Sequence, residues 1–147
     1  MRLAEAKAVK VAEYESAAVI IGSDQLAVLR GKVLGKPGNH ERAFQQLAGM
    51  SGHCVSFYTG LCLLNTNTGR KQLSCDLNYV YFRQLSDEQI ERYLTFEQPY
   101  GCAGSFKSEA LGITLIEKME GPDPTALIGL PLINLIELLR NENYNIP

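Results

Sequence analysis

Apolar and polar positions change period several times along the 147 residues, and each change marks an element. Over residues 3–14 apolar side chains recur at Leu3, Ala6, Val9 and Val11 with charges between them, which predicts a helix. Residues 17–21 are continuously apolar and end in Gly22-Ser23-Asp24-Gln25, the pattern of a buried strand whose C-terminal end opens into a loop. Arg30-Gly31 centres a small hairpin over 26–34, and Gly35-Lys36-Pro37-Gly38 makes a turn. Asn39 is placed to cap a helix over 40–47.

The longest strand is expected over 53–64, rich in Val, Phe, Tyr and Thr. Asn65-Thr66-Asn67-Thr68-Gly69 then turns the chain, and residues 71–83 return as the second strand of a long antiparallel hairpin. Ser86 with Gln89 three residues later is a capping-box pattern that starts a helix to about Phe96. Residues 99–112 are glycine-rich and irregular, 113–118 form another short strand, and Pro122 and Pro124 break the chain. A last helix runs from near Leu130 to about Arg140, with Pro131 tolerable in its first turn. Helices and strands alternating around a central hairpin predict one α/β domain, residues 1–147, on a mixed sheet with flanking helices. The chain opens in a helix, with no strand ahead of it to begin that sheet.

Charge narrows the classes. Fourteen basic and sixteen acidic residues give a net charge of −2, spread along the chain without the basic patch of a duplex-binding protein. A small phosphorylated ligand needs only two or three cations and stays open. No apolar run approaches the roughly 20 residues of a membrane helix. Residues 1–14 are charged and lack the apolar stretch of a secretory signal, so a cytoplasmic location is expected. Cys54, Cys62, Cys75 and Cys102 show no zinc spacing and read as reduced thiols.

Three places hold candidate chemistry. Asp24, just past a buried strand, sits where α/β proteins place active sites; it either binds a divalent metal or takes a proton from water, or it caps a turn. Lys36 is held between glycine and proline, where it either meets a phosphate as a point charge or is solvated; Lys7 on the first helix has the same two readings. The third is Cys102-Ala103-Gly104-Ser105-Phe106-Lys107-Ser108-Glu109. Its small residues admit a ligand, Phe106 offers a stacking face, and the Glu109 carboxylate suits the paired donors of a guanine edge, or the whole is an ordinary polar loop. A Walker phosphate loop and a G-x-S-x-G elbow are both absent. His40 and His53 have no ligand-spaced partners.

Five segments coincide, in order, with one family. Leu3-Ala4-Glu5-Ala6-Lys7-Ala8, Ile21-Gly22-Ser23-Asp24-Gln25, Gly35-Lys36-Pro37, Val80-Tyr81-Phe82-Arg83-Gln84-Leu85-Ser86 and Gly129-Leu130-Pro131-Leu132 resemble the Maf proteins. The resemblance implies a Maf/ITPase-like fold, with a twisted mixed sheet and a cleft between two lobes. It implies an enzyme that cuts nucleoside triphosphates between the α and β phosphates, aided by a divalent metal cation, Mg or Mn. On that pattern Asp24 is the proton acceptor and metal-side carboxylate, while Lys7 and Lys36 bind the phosphates. The stretch from Cys102 to Glu109, together with Gln25, is similar to the branch of the family that hydrolyses 7-methyl-GTP, so Gln25 and Glu109 are the specificity residues it implies. A homodimer is implied as well. Family members carry a strand and a Ser-x-Ser-Pro-x-Arg loop ahead of the first helix, so the first strand is expected to be missing here and the domain to be N-terminally truncated. The alternatives from other classes are a non-catalytic nucleotide-binding or septum-regulating protein and an inactive truncated fragment.

Overall fold

A computed structural model describes residues 1–147. In chain order the elements are α1 (Arg2–Ala12), β1 (Val19–Leu29), β2 (Lys32–Leu34), α2 (His40–Met50), β3 (Cys54–Asn65), β4 (Lys71–Phe82), α3 (Asp87–Glu97), β5 (Ile116–Glu120) and α4 (Leu132–Arg140). Single 3-10 turns occupy Ala103–Ser105, Leu111–Leu115 and Pro124–Ile128. The strands lie in the order β2-β1-β3-β4-β5. The sheet expected to be mixed is antiparallel. α2 does make a crossover, but it joins β2 to β3, and β1 lies between them. No helix is long and apolar enough to cross a membrane.

Local chemistry sets several of these boundaries. Arg30 (φ 49°) and Gly31 (φ 79°) form the two-residue link between Leu29 and its partner Lys32, and two positive φ values suit the twist of a tight hairpin. The Asn39 side chain accepts from Arg42 N at 3.0 Å. Ser86 and Gln89 make both bonds of the capping box. α2 continues to Met50, through Gly49, because Leu47 and Met50 both bury their side chains. α4 begins one residue later than its proline: Pro131 is the N-cap itself.

The chain divides into two compact units. The first is Met1–Gln25, Thr59–Asp76 and Pro122–Pro147. Its part of β3 is buried on both faces. Cys62 and Leu64 pack with Ala4, Ala8 and Ile20, while Leu61 and Leu63 pack with Leu135 and its neighbours Leu138 and Leu139. Alternation with period two therefore feeds α1 from one face and α4 from the other, which is why this strand is apolar without a break.

α1 corrects the sequence expectation. Its buried stripe is Ala4 and Ala8, whereas Leu3, Val9 and Val11 are exposed. Small residues face the sheet because the helix comes very close to it. A Cβ built on Gly22 would lie 2.2 Å from Ala4 O and 2.9 Å from Ala8 N. Gly22 is thus a close-approach glycine inside a strand and does not end it. β1 runs without interruption from Val19 to Leu29, and Gly22-Ser23-Asp24-Gln25 is strand where the sequence suggested a loop.

The second unit is Leu26–Tyr58 and Leu77–Gly121. Phe57, Phe82 and Phe106 form an aromatic cluster in it, with ring centroids 5.7 Å apart for Phe57–Phe106 and 5.2 Å for Phe82–Phe106. α2 contributes Ala43, Leu47 and Met50, and α3 contributes Ile90, Tyr93 and Leu94. All four cysteines are free.

Candidate active site

In the first unit the middle of β1 presents Ser23, Asp24 and Gln25, all partly buried. Their side chains and backbone are fastened from α1, from β3 and from the segment ahead of α4. Lys7 reaches over from α1, donating to Ser23 O at 2.8 Å and to Asp24 Oδ1 at 2.7 Å. The lysine side chain is 57% exposed and the aspartate 23%, so the pair is open to a ligand on the lysine side. A turn-capping role for Asp24 fails because residue 24 lies in a strand. Lys7, by spacing alone an ordinary surface lysine, is brought onto the candidate carboxylate. Ser23 Oγ is 2.6 Å from Gly129 O and 3.0 Å from Gly60 O, which ties the IGSDQ segment to the GLPL segment.

Gln25 is held by its amide nitrogen, which donates to Ala126 O at 2.8 Å, Leu127 O at 3.1 Å and Thr59 Oγ1 at 3.1 Å. Two of those partners are carbonyls that only accept, so the amide orientation follows from the chemistry. Asp123, which the sequence reading passed over, organises the approach to α4. It is 1% exposed. Its Oδ1 accepts from Thr125 N at 2.8 Å and Thr125 Oγ1 at 2.6 Å, and its Oδ2 accepts from Ile133 N at 2.8 Å. Burial pushes its pKa up, but the bonds from Thr125, Ile133 and Leu132 outweigh that, and the net shift is downward. Asp-Pro-Thr at a chain break was the signal available in the sequence.

In the second unit the structure gathers the other two motifs. Lys36 is exposed, next to the buried Pro37. Gly35 O in that turn accepts from Gln46 Nε2 at 3.0 Å and from Gly104 N at 3.4 Å, and Gly38 N donates to Tyr100 O at 3.0 Å. Glu109 is exposed, as a ligand-reading carboxylate needs to be. Phe106 departs from the expectation. It is 6% exposed and packed into the Phe57–Phe82 cluster, so it has no face to offer a base. Lys107 is also committed: its ammonium donates to Glu97 Oε1 at 2.7 Å, and Glu97 Oε2 accepts from Leu111 N at 3.1 Å. The Lys107 bond lowers the Glu97 pKa, and the same bond raises that of Lys107. Glu97 therefore pins the far end of the stretch that carries Glu109.

No group of three or more His, Cys, Asp or Glu side chains converges to hold a metal. The chain thus offers no all-protein cage. Asp24, partly exposed, is a single carboxylate of the kind that shares Mg²⁺ with substrate phosphates and waters.

Comparison with known proteins spans nearly the whole chain. The chain matches the family described as "Maf-like protein" over residues 1–142. A protein of Alcanivorax borkumensis named 7-methyl-GTP pyrophosphatase is 56% identical over 147 residues, covering 100% of this chain and 75% of that one. One of the same name from Nitrosococcus oceani is 56% identical over 143 residues, 97% of this chain and 72% of the relative. Another, from Ralstonia nicotianae, is 53% identical over 144 residues, 98% and 74%.

Proposed function

This chain belongs to the Maf-like protein family, and we propose that it is a nucleoside triphosphate pyrophosphatase acting on 7-methyl-GTP or a related modified nucleotide. The observation that carries the reading is identity of 53–56%, along nearly the whole chain, with relatives named for that activity.

Chemically, the products are the nucleoside monophosphate and pyrophosphate. Water attacks the α-phosphorus, the bond from that phosphorus to the α–β bridging oxygen breaks, and pyrophosphate leaves. The Asp24 carboxylate takes the proton of the attacking water. Lys7 has three N–H donors and spends two, on Ser23 O and Asp24 Oδ1, so its third suits a phosphate oxygen. Lys36 adds a point charge from a turn whose backbone is tied to Gln46, Gly104 and Tyr100. A divalent cation, Mg²⁺ or Mn²⁺, would be held on Asp24 and would supply charge neutralisation on the phosphate oxygens.

Base selection falls to Gln25 and Glu109. The glutamate accepts from the N1–H and amine of a guanine edge, and its charge suits a ring made positive by N7 methylation. Gln25 is left with its carbonyl oxygen, because Ala126, Leu127 and Thr59 engage its nitrogen. Residues 1–147 are read as a single domain working in the cytoplasm as a homodimer, on small nucleotides and neither nucleic acid nor membrane.

The test is pyrophosphate release from 7-methyl-GTP, GTP, UTP and dTTP with Mg²⁺ or Mn²⁺. 7-Methyl-GTP should be preferred, and Asp24→Asn should lower its turnover by roughly 100-fold or more. Parent-like turnover in Asp24→Asn removes it from the mechanism. Nucleotide binding by the parent without release of pyrophosphate would favour the non-catalytic alternative.

A further inference from the structure

One half-buried side chain in the second unit touches both of that unit's candidate substrate segments. Gln46 projects from α2; its Nε2 donates to Gly35 O at 3.0 Å and its Oε1 accepts from Ser105 Oγ at 2.6 Å. The carbonyl of Gly35 can only accept, so the amide nitrogen must face it and the amide oxygen is left for the Ser105 hydroxyl. The two backbones also meet directly, through Gly104 N and Gly35 O at 3.4 Å.

Ser105 needs such a restraint. It is fully buried with φ 56°, directly after Gly104 at φ 64°. A residue with a Cβ holds the left-handed conformation only where its surroundings over-determine it. Here they are the Gln46 bond and Tyr93 OH, which donates to Ser105 O at 3.2 Å. Lys36 follows the first anchored residue by one position, and Glu109 follows the second by four.

We propose that Gln46 is a positioning residue that sets the Lys36 turn and the Glu109 loop in register, coupling phosphate recognition to base selection. It acts through Gly35 and Ser105 and touches no reacting atom. The inference rests on the assignment of Lys36 and Glu109 to substrate given above.

Three variants separate the two arms. Gln46→Met keeps the length and loses both bonds. Gln46→Glu keeps an acceptor for Ser105 but sets a carboxylate against Gly35 O. Ser105→Ala removes only the loop arm. Amide hydrogen exchange, which needs no activity, should quicken roughly tenfold at Gly38, Gly104 and Ser105, whose N–H groups are bonded in the parent, in Gln46→Met. It should quicken at Gly38 but not at Ser105 in Gln46→Glu, and at Ser105 but not at Gly38 in Ser105→Ala; Gly104, whose N–H donates to Gly35 O, should respond to either. In parallel, kcat/KM for 7-methyl-GTP should fall roughly 5- to 30-fold in Gln46→Met, and the preference over GTP should narrow. Unchanged exchange at both segments, or quickening spread evenly over the unit, overturns the proposal. So does an equal loss on 7-methyl-GTP and GTP. A parent that releases no pyrophosphate overturns the functional reading instead, and the exchange pattern then decides the coupling by itself. Should Gln46→Met not fold, Gln46→Glu and Ser105→Ala decide it by the same exchange pattern.

Discussion

Gly22→Ala is expected to be among the most damaging single-methyl changes in this chain. The added Cβ would stand 2.2 Å from Ala4 O, 2.9 Å from Ala8 N and 3.0 Å from Ala8 Cβ. Two of these are backbone atoms of α1, and none can rotate aside. Restoring a C···O separation of about 3.3 Å asks the helix to lift by about 1 Å. Overpacking of this kind costs about 1–3 kcal/mol, and a collision with backbone belongs at the upper end. Part of that loss is the packing of Ala4 and Ala8 on Ile20 and Cys62. Lys7 rides on the same helix, so a lift of that size stretches its 2.7 Å contact with Asp24 past hydrogen-bond length. Pyrophosphate release should therefore fall together with stability. Gly49→Ala is the control. Its Cβ has Leu29 Cδ2 at 4.0 Å as nearest neighbour and sits inside α2, where alanine gains about 0.5–1 kcal/mol over glycine. Urea unfolding of both variants, at unchanged m, reads the two signs directly. A Gly22→Ala protein within about 0.5 kcal/mol of the parent would refute the close-approach argument, since that is the range of unremarkable surface substitutions.

Three further outcomes are expected. Asp123→Asn turns an amide donor toward a backbone donor, Ile133 N or Thr125 N, and should cost about 1–3 kcal/mol in urea unfolding at pH 7. Because the folded pKa of Asp123 is lowered, its contribution is complete above the unfolded value of about 3.9 and fades as pH falls through the folded one, so the gap between parent and variant should close below about pH 4. Glu97→Gln gives up one of two charge-assisted acceptors; protease cleavage within residues 103–111 should become faster, and an unchanged cleavage rate would show that the Lys107 tie does not order the loop. Glu109→Gln replaces one acceptor by a donor and should reduce the preference for 7-methyl-GTP over UTP by roughly 5- to 150-fold; an unchanged ratio of kcat/KM values would make Glu109 an ordinary loop residue.

What the sequence revealed and what it hid divide along a physical line. The Asn39 cap, the Ser86–Gln89 capping box and the Arg30-Gly31 hairpin are local devices, complete within four residues, and all were legible. Gly22 was misread because a turn glycine and a close-approach glycine look alike until the other backbone is in view. The alanine face of α1 was hidden for the same reason, since periodicity favours large apolar residues over small ones. Phe106 looked available for stacking because its neighbours are polar, yet its partners Phe57 and Phe82 lie 49 and 24 positions away. Gln46 and Glu97 carry polar contacts to distant segments that no local signal announces, whereas Asp123 was marked only by its Asp-Pro-Thr. Asp24 stood out by its place after an apolar run and Lys7 gained a role only from the motif resemblance, while their meeting across 17 positions is a product of the fold.

The contact between Lys7 and Asp24 also bears on how a polyanion arrives. An ammonium and a carboxylate 2.7 Å apart look, from a Debye length away, like no charge at all, and the chain as a whole carries −2. A triphosphate approaching through solution is therefore not drawn by Lys7. On the proposed assignment the long-range pull comes from Lys36, exposed on its turn, and Lys7 acts only after the ligand is close enough to claim its remaining N–H. Capture and grip are thus divided between two lysines, and salt tells them apart. Added salt should slow association through Lys36, and neutralising Lys36 should flatten that dependence. Removing both charges of the pair, Lys7→Met with Asp24→Asn, should leave the slope of the on-rate nearly intact and appear instead in how quickly the nucleotide escapes, whereas Lys7→Met alone bares the Asp24 charge and slows association.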